Sequence, residues 1–381
     1  MGYDKPTIKA LAEQYGTPLF VIDCDRLRKQ YSDLCQSLPD TDFYYAVKAL
    51  PHESVVETFL QSGAGFDIAS SGEIEILRKV HADPRHTIHT HPIKKDQDIR
   101  DALRFGCTTF VIDNDAELDK FRQYRHRVGL LLRISFRSPS AVVDLSKKFG
   151  CLPEDVPALL RRAETLGIHI KGLSFHVGSQ SMEPDTHVQA INDCNELMKE
   201  ANETAINPMS ILDIGGGFPV GYAADCLDIG EFCKPIHEAI RALPGNIHTI
   251  AEPGRYLVAS AAISISSVIG KTVRGNHAWY YLDDGVYGNY SGMIYDHAVF
   301  PIHALKEGEL FKSVLAGPTC DSIDVIAEDI DLPELEIGDL IVGEMMGAYT
   351  LASATEFNSL PKSQVAVLNT KKQERVIYHI A

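Results

Sequence analysis

A lysine at the end of a strongly apolar stretch is the first residue whose surroundings predict chemistry. Lys48 follows Phe43-Tyr44-Tyr45-Ala46-Val47, a run of aromatic and β-branched residues typical of a buried strand. We expect a lysine at this place to be partly removed from water. Desolvation lowers the pKa of its amine and favours the neutral form, which attacks aldehydes to form a Schiff base. The alternative is a lysine whose ammonium extends into solvent.

Other strand candidates also end in residues that can do chemistry. Barrel enzymes place their catalytic groups at the carboxyl ends of parallel strands, whereas core packing does not require ionisable residues there. The strand ends of this sequence carry a reactive amine, several ionisable side chains and a glycine run: Lys48, Asp67, His91, Arg133, His176, Gly215-Gly216-Gly217 and Glu252.

The last two of these strand ends predict a phosphate site beside a carboxylate. Gly215-Gly216-Gly217 directly follows a strand candidate and exposes backbone N–H groups that a phosphate can approach. Glu252-Pro253-Gly254-Arg255 ends the next strand, so that Glu252 can face a ring nitrogen and Arg255 can support an anion. The alternatives are a tight turn at the glycines and a salt bridge between Glu252 and Arg255.

Two further motifs contribute a flat ring and a thiol. His176 lies three residues before Ser179; its ring can stack on a planar cofactor while the serine donates to a phosphate. A structural hydrogen bond is the alternative for this histidine. Cys320-Asp321, after Gly317-Pro318-Thr319, combines a thiol suited to acid–base chemistry with a carboxylate that can fix a cationic substrate end. A polar turn with a buried thiol is the alternative.

Eight apolar strand candidates position the first of these residues, and amphipathic helical segments separate most of them. This alternation predicts a (β/α)8 TIM barrel, with a doubly wound open sheet as the alternative. The long connection at 135–154 is predicted to be a functional loop. The strand candidates are 43–48, 65–69, 86–91, 108–112, 129–135, 170–176, 210–214 and 247–252, and the helical candidates are 53–62, 72–80, 95–105, 116–124, 154–166, 185–203 and 228–243.

The pattern changes after Glu252, where helical periodicity fades. Short β-rich runs separated by Gly, Pro and Asp predict an all-β module, a β-sandwich or β-barrel, so that the fold class is α/β plus all-β. A short strand at 18–23 has no place in the barrel count and is a candidate addition to this module. We therefore predict a barrel over 24–260 and a β-rich domain from 1–23 plus 261–381. The β-rich runs are 263–273, 278–282, 310–315, 339–342 and 365–368.

Composition excludes several classes of partner. The net charge of −16 argues against nucleic acid or an anionic membrane as a main partner, and no stretch is long and apolar enough to span a bilayer. The segment before Pro18 lacks the apolar core of a signal peptide. Eight cysteines without a C-x-x-C pair are typical of reduced thiols, so we expect a cytoplasmic protein. The histidines at 81, 86, 89 and 91 lack a matching ligand pattern, and we predict no metal site.

Six motifs in one order resemble a known family. The resemblance extends from about Thr17 to Tyr349, and it is to the barrel-type, alanine-racemase-fold decarboxylases that depend on pyridoxal phosphate, most closely to the ornithine decarboxylases. Each motif alone is modest, but the ordered set is specific. The motifs are Tyr45-Ala46-Val47-Lys48, Phe66-Asp67-Ile68-Ala69-Ser70, His176-Val177-Gly178-Ser179, Gly215-Gly216-Gly217-Phe218-Pro219, Glu252-Pro253-Gly254-Arg255-Tyr256 and Gly317-Pro318-Thr319-Cys320-Asp321.

The resemblance implies pyridoxal 5'-phosphate as cofactor. Lys48 would bind it as a Schiff base, Glu252 would pair with its ring nitrogen, and His176 would stack on its ring. The residues implied to hold the phosphate are Ser179, Gly215, Gly216, Gly217, Gly254, Arg255 and Tyr349, and those implied to support the cofactor face are Asp67, Glu73 and Arg133, with Lys148 beside the site.

The resemblance also implies a homodimer with shared active sites. Cys320 would protonate the α-carbon after carbon dioxide leaves, and it would reach the site with Asp321 from the other subunit. Asp296, Asp321 and Tyr295 would contact the substrate. Two carboxylates favour a substrate that ends in an amine, so the implied reactions convert L-ornithine to putrescine and L-lysine to cadaverine, diamines of polyamine biosynthesis.

Several other functions remain open from the sequence. Diaminopimelate ends in a second carboxylate and would meet like-charge repulsion, and arginine is a further substrate candidate. A racemase on the same barrel would need a second base, usually a tyrosine, where this chain has Cys320. A non-catalytic, decarboxylase-like regulator would not need Lys48, Glu252 and Cys320 together.

Overall fold

The computed structural model describes residues 3–136, 148–203, 205, 207–222 and 226–371. The loop predicted at 135–154 lies outside the described residues between 137 and 147. Its described ends are tied together, because the Ser135 N–H donates to the Cys151 carbonyl at 2.9 Å and the Cys151 N–H donates to the Arg133 carbonyl at 3.0 Å.

The amino-terminal segment contains two helices that the sequence analysis did not predict. Helix α1 (Lys5–Tyr15) begins after Asp4, whose carboxylate accepts a hydrogen bond from the Thr7 N–H. Strand β1 (Leu19–Asp23) is buried along its whole length. Helix α2 (Cys24–Ser37) follows directly and packs against the barrel through a narrow apolar stripe.

Eight parallel strands close into a barrel, with the first strand paired to the last. The predicted (β/α)8 barrel is therefore confirmed, and closure excludes the open-sheet alternative. The barrel strands are β2 (Thr41–Ala46), β3 (Gly65–Ile68), β4 (Thr87–His89), β5 (Thr109–Ile112), β6 (Gly129–Ile134), β7 (Ile170–Phe175), β8 (Ile211–Asp213) and β9 (His248–Ala251).

Helices connect these strands on the outside of the barrel. Each predicted helical segment is present, although 116–124 is a short α-helix followed by a 3-10 turn over Phe121–Tyr124. The helices are α3 (Glu53–Gln61), α4 (Ser71–Lys79), α5 (Asp96–Phe105), α6 (Asp115–Lys120), α7 (Val156–Leu166), α8 (Asp185–Asn202), α9 (Ile229–Arg241) and the short α10 (Arg255–Val258).

Side chains fill the barrel interior, so the barrel is not a pore. Val111 on β5 belongs to a small inner cluster with Ile88, Leu131 and Ile250. Its neighbour Phe110 belongs to the larger core between strands and helices, because successive side chains of a strand point to opposite sides. A filled interior leaves the ends of the strands as the place where a ligand can bind.

The second unit is an eight-stranded sheet, which confirms the predicted β-rich module. The strand β1 joins it, since it pairs antiparallel with β10 (Ala262–Arg274) and parallel with β16 (Gln364–Leu368). The sequence analysis missed the strands at Ile302–Ala304 and Val325–Pro333. The remaining elements are β11 (His277–Leu282), α11 (Gly292–Tyr295), β12 (Ile302–Ala304), β13 (Leu310–Ala316), β14 (Val325–Pro333) and β15 (Leu340–Gly343).

Candidate active site

A cleft of about 280 Å³ lies at the carboxyl ends of the barrel strands and brings most of the predicted residues together. It is bounded on one side by residues of the β-rich unit. The predicted residues that line it are Lys48, Arg133, His176, Ser179, Gly216, Gly217, Glu252, Gly254, Arg255, Asp296 and Tyr349. His91, identified from the sequence at a strand end, also lines it, and the lining residues without a predicted role include Thr90, Phe149 and Phe218.

Lys48 stands in this cleft on a single 3-10 turn, Val47–Ala49, that follows β2. Its amine lies 2.8 Å from Oδ2 of Asp67, a carboxylate that is almost fully buried. The other oxygen of Asp67 accepts a hydrogen bond from the Thr90 hydroxyl at 2.5 Å, which fixes the carboxylate in place. The cleft is open, so 43% of the Lys48 side chain is accessible to a reacting aldehyde.

The expected lowering of the Lys48 pKa is wrong. Burial is the largest single influence and disfavours the charged amine, but the combined effects of Asp67, Tyr349 and Glu252, led by the charge of Asp67, outweigh it, and the pKa of Lys48 is raised above its ordinary value. The sequence indicated Asp67 at the end of the next strand but not that its carboxylate lies 2.8 Å from the Lys48 amine. Lys48 is therefore a protonated amine that needs a proton acceptor before it can act as a nucleophile.

Glu252 forms a buried acidic pair with Asp213, which the sequence analysis did not identify. Burial first, and the nearby charge of Asp213 second, raise the pKa of Glu252 well above its ordinary value. Asp213 accepts hydrogen bonds from the Gly215 N–H at 2.9 Å and from the Ser174 hydroxyl at 3.1 Å, which favour its ionised form. The shared proton therefore resides on Glu252, the member of the pair that faces the cleft.

His176 presents a neutral ring to the cleft. Burial, together with the positive charges of Arg133 and Lys48, lowers the pKa of His176 well below its ordinary value. Its Nδ1 accepts a hydrogen bond from the Gly178 N–H at 3.0 Å, and this bond fixes the orientation of the ring. A neutral, fixed, flat ring is suited to stacking on an aromatic ligand.

The glycine run lies against the backbone of the neighbouring strands. Gly215 and Gly217 have φ angles of 65° and 95°, a region that favours glycine. A Cβ on Gly217 would lie 2.4 Å from the carbonyl oxygen of Gly178, and a Cβ on Gly216 would lie 2.7 Å from that of Glu252. Only glycine allows the run to pack this closely against its neighbours, and Gly216 and Gly217 line the cleft, where a backbone run of this kind is suited to bind a phosphate.

Arg255 connects this concave surface to an acidic residue of the β-rich unit. Its guanidinium donates to the Ser179 hydroxyl at 3.0 Å and to the Tyr222 hydroxyl at 2.8 Å. It also pairs with Asp296, whereas the sequence alternative was a salt bridge to Glu252. The guanidinium carbon of Arg255 lies 5.0 Å from the centre of the Tyr349 ring. Tyr222 was not predicted, because nothing in its local sequence indicates a contact 33 residues along the chain.

The residues expected around the cofactor face lie near the cleft. Glu73 accepts a hydrogen bond from the Ala69 N–H at 2.5 Å, and burial raises its pKa to about 7. The guanidinium of Arg133 lies 5.5 Å from the centre of the Phe149 ring, and the amine of Lys148 lies 5.0 Å from that centre. Phe149 thus makes cation–π contacts with both Arg133 and Lys148 at the edge of the cleft.

Cys320, Asp321 and Tyr295 do not line this cleft. Cys320 is exposed, and its N–H donates to the Asn358 side chain at 3.0 Å. Asp321 accepts a hydrogen bond from the Tyr287 hydroxyl at 2.5 Å. Tyr295 is 62% exposed although its neighbour Asp296 faces the cleft. These three residues therefore lie outside the cleft of their own chain, in the β-rich unit.

Other features of the described residues lack the chemistry of the strand-end cleft. A larger cavity of about 470 Å³ lies at the amino-terminal end of β7, between α7 and α8, and it contains neither a lysine nor a glycine cradle. No group of three metal-ligating side chains occurs in the part of the chain that the structure describes. Within the same residues, no helix has the length and apolar character needed to cross a membrane.

The strand-end cleft fits pyridoxal phosphate group by group. It offers an amine for the aldehyde, a backbone cradle with Arg255 for the phosphate, a carboxyl group for the ring nitrogen and a flat imidazole for the ring face. Core packing requires none of these, and they converge on a space of about 280 Å³.

Comparisons with known proteins agree with this chemistry. The family described as pyridoxal-dependent decarboxylase, pyridoxal binding domain, matches residues 24–259. A lysine/ornithine decarboxylase of Selenomonas ruminantium is 37% identical over 352 residues, which cover 92% of this chain and 89% of that protein. An antizyme inhibitor 2 of Xenopus laevis is 35% identical over 365 residues, which cover 91% of this chain and 80% of that protein.

Solved structures extend the similarity to the whole fold. A lysine/ornithine decarboxylase from Vibrio vulnificus, complexed with putrescine, is 49% identical with a TM-score of 0.92, covering 96% of this chain and 98% of that one. The enzyme of the same name and organism, complexed with cadaverine, is 48% identical with a TM-score of 0.93, covering 97% and 98%. The chain described here therefore belongs to the family of pyridoxal-dependent decarboxylases.

Proposed function

We propose that this protein uses pyridoxal 5'-phosphate to decarboxylate basic L-amino acids, converting L-ornithine to putrescine and L-lysine to cadaverine. The observation that carries the proposal is the placing of the Asp296 carboxylate in the same cleft as Lys48 and the glycine cradle. A carboxylate there can bind the distal ammonium of a diamine. The relatives named as lysine/ornithine decarboxylases, two of whose structures contain putrescine and cadaverine, support the same substrates.

The cofactor would be held by residues at the ends of β7, β8 and β9, together with Tyr349 of the β-rich unit. We assign its phosphate to Ser179, Arg255, Tyr349 and the backbone N–H groups of the glycine run. His176 stacks on the ring, and Asp67 and Arg133 fix the surroundings of Lys48. Bound pyridoxal phosphate supplies the electron-accepting ring that takes up the electron pair released when the substrate carboxylate leaves as carbon dioxide.

Asp67 is the proton acceptor for the Lys48 amine. The amine binds the cofactor aldehyde covalently only after it has lost a proton, and its raised pKa makes this loss unfavourable without a partner. Asp67, 2.8 Å from the amine, is positioned to accept that proton.

Glu252 holds a proton where the cofactor ring nitrogen would lie. A buried carboxyl group whose pKa is raised keeps its proton at neutral pH, with Asp213 as the ionised partner behind it. With pyridoxal phosphate bound, Glu252 could give this proton to the ring nitrogen and would then be a carboxylate beside a cation, a pairing that a dry site favours. Glu252 would in this way support the ring as an electron acceptor.

The acidic residues set the substrate class. Asp296 and Asp321 attract a distal ammonium and repel the second carboxylate of diaminopimelate. Ornithine and lysine differ by one methylene, which a site can distinguish by only about 1–3 kcal/mol, so use of both substrates is expected.

The active unit is a homodimer in which the second subunit completes each cleft. Cys320 is exposed outside the cleft of its own chain, and aromatic and aliphatic side chains are exposed near it, including Tyr295, Ile323 and Phe357. Docking of this surface over the cleft of a second copy would place Asp321 beside the substrate. The Cys320 thiol would then give its proton to the α-carbon after carbon dioxide has left.

Two further assignments accompany the proposal. Residues 24–260 act as the cofactor-binding barrel, and 1–23 plus 261–381 act as the β-rich domain that completes the active site of the partner. The protein works in the cytoplasm, in support of which all eight cysteines are free thiols.

A non-catalytic regulator is the second candidate, because one similar protein is an antizyme inhibitor. The joint presence of Lys48, Glu252 and Cys320 favours the enzyme. The test is carbon dioxide release, with added pyridoxal phosphate, from L-ornithine, L-lysine, L-arginine and meso-diaminopimelate. Release from ornithine, lysine or both supports the proposal. Release only from arginine or diaminopimelate contradicts the roles of Asp296 and Asp321, and no release in the presence of bound cofactor favours the regulator.

A further inference from the structure

Each carbonyl group of the glycine run accepts a hydrogen bond. The Gly215 carbonyl accepts from the Glu252 N–H at 2.7 Å, and the Gly217 carbonyl accepts from the Ser181 N–H at 3.0 Å. The Gly216 carbonyl is held by a side chain instead, Nε2 of His187 at 3.0 Å. His187 is the third residue of α8 and belongs to neither the cleft nor the motifs of the sequence analysis.

This arrangement directs three successive N–H groups toward the cleft. The C=O and N–H of a trans peptide point in opposite directions, so each anchored carbonyl turns the following N–H the other way. The N–H groups concerned belong to Gly216, Gly217 and Phe218, and all three residues line the cleft. Such a row of N–H groups is a concave anion site. His187 is the side chain that fixes the middle peptide of this row, whereas backbone N–H groups fix the other two.

The surroundings of His187 show that its hydrogen bond, and not its aromatic packing, is what a histidine adds at this position. Its ring stacks on Phe218 with centroids 5.5 Å apart, and it meets Phe232 and Phe175 edge-on at 5.9 and 6.5 Å. A phenylalanine would suit this apolar pocket equally well. The imidazole adds one hydrogen bond, to Gly216, and leaves its buried Nδ1 without a partner among the described residues. A buried polar atom without a partner is costly, so the hydrogen bond to Gly216 must offset that cost.

The protonation state of the ring agrees with this role. Burial lowers the pKa of His187 to about 4, so the ring is neutral at neutral pH and has one N–H. Gly216 offers an acceptor to Nε2, which selects the tautomer with the proton on Nε2.

We propose that His187 is a positioning residue for the cofactor phosphate: it fixes the Gly216–Gly217 peptide so that the Gly217 N–H faces the phosphate. This inference rests on the proposed use of pyridoxal phosphate. It predicts that His187 matters for a ligand with a phosphate and not for the same ligand without one.

The test measures dissociation constants of pyridoxal phosphate and of pyridoxal for the cofactor-free full-length protein, wild type and H187F. H187F keeps the aromatic packing and loses the hydrogen bond. We expect the dissociation constant of pyridoxal phosphate to rise about tenfold, equivalent to about 1.4 kcal/mol, and that of pyridoxal to stay unchanged. H187Q is the matched control, because its amide nitrogen can occupy the place of Nε2, and it should recover most of the loss.

Equal weakening of both ligands would mean that His187 only supports packing, and an unchanged affinity of H187F for pyridoxal phosphate would also overturn the proposal. If H187F does not fold, H187N replaces it, since the shorter amide fits the pocket without reaching Gly216. Failure of the wild type to bind pyridoxal phosphate would instead refute the proposed function, so the two failures are distinguishable.

Discussion

Lys48 lies in the cleft and Cys320 is exposed outside it, and this separation predicts complementation between two variants that each form little putrescine. Lys48→Ala removes the amine that binds the cofactor inside the cleft. Cys320→Ala removes an exposed thiol that does not line the cleft of its own chain. If a second subunit supplies Cys320, a mixed dimer contains one doubly altered cleft and one intact cleft.

The expected recovery follows from the symmetry of a dimer. Random exchange between equal amounts of the two variants gives about one half mixed dimers, each with one intact cleft of two, so activity should reach about one quarter of the wild-type value. The measurement is formation of putrescine from ornithine, the product that needs the Cys320 proton, after the variants have been mixed, dissociated in mild denaturant and returned to buffer with pyridoxal phosphate.

The matched control mixes Lys48→Ala with Glu252→Gln. Both residues line the cleft of the same chain, so every mixed dimer has two damaged clefts and no activity should return. Activity in this control would mean that the chains do not share sites as proposed. Absence of recovery from the Lys48→Ala and Cys320→Ala mixture, with dimers present by light scattering, would refute the reasoning from exposure.

Three further changes test single features of the cleft. D296N should raise KM for ornithine and lysine by roughly tenfold or more, because a hydrogen bond between charged groups is worth about 1.5–3 kcal/mol, and an unchanged KM would contradict the assignment. G217A should weaken pyridoxal phosphate binding in a titration, because its Cβ would lie 2.4 Å from the Gly178 carbonyl at a φ of 95°; normal affinity would count against the cradle. Burial raises the pKa of Glu73 from 4.5 to about 7, so its stabilising contribution is present below pH 4.5 and is lost as the pH rises through 7. The glutamine of E73Q cannot titrate. Between about pH 5 and about pH 8 the free energy of unfolding of the wild type should therefore fall relative to that of E73Q, measured in denaturant, and a constant difference between the two would contradict the pKa shift.

The barrel could be predicted because its strands are apolar on both sides. Strand β5, Thr109–Ile112, contributes Val111 to the barrel interior and Phe110 to the outer core, so it appears in the sequence as a continuous hydrophobic run. Helix α2 gives no such signal, since only Cys24, Leu27 and Leu34 of its residues are buried. Strand β14, Val325–Pro333, ends the path of the sheet and exposes several acidic side chains, which hide its pattern.

The types of the cleft residues could be predicted, but their charge states could not. A strand end indicates where Lys48 and Glu252 lie, because parallel strands finish at one edge. The partners that shift their pKa values, Asp67 and Asp213, come from other strands, at distances that only the closed barrel fixes. Asp213 nevertheless carried a signal, since it immediately precedes Ile214 and the glycine run at a strand end.

Arg255 links the two halves of the proposed chemistry. It contacts Ser179 at the phosphate cradle and Asp296 at the substrate side, and one guanidinium cannot change its position for one partner without changing its geometry for the other. Removal of the Asp296 charge leaves the positive charge of Arg255 less neutralised, so that it can attract a phosphate more strongly. The D296N variant should therefore bind the cofactor phosphate at least as tightly as the wild type while it loses affinity for the diamine end of the substrate. Opposite effects on the two affinities identify Asp296 as a substrate residue, whereas a parallel loss of both would mean that Asp296 serves mainly to hold Arg255 in place.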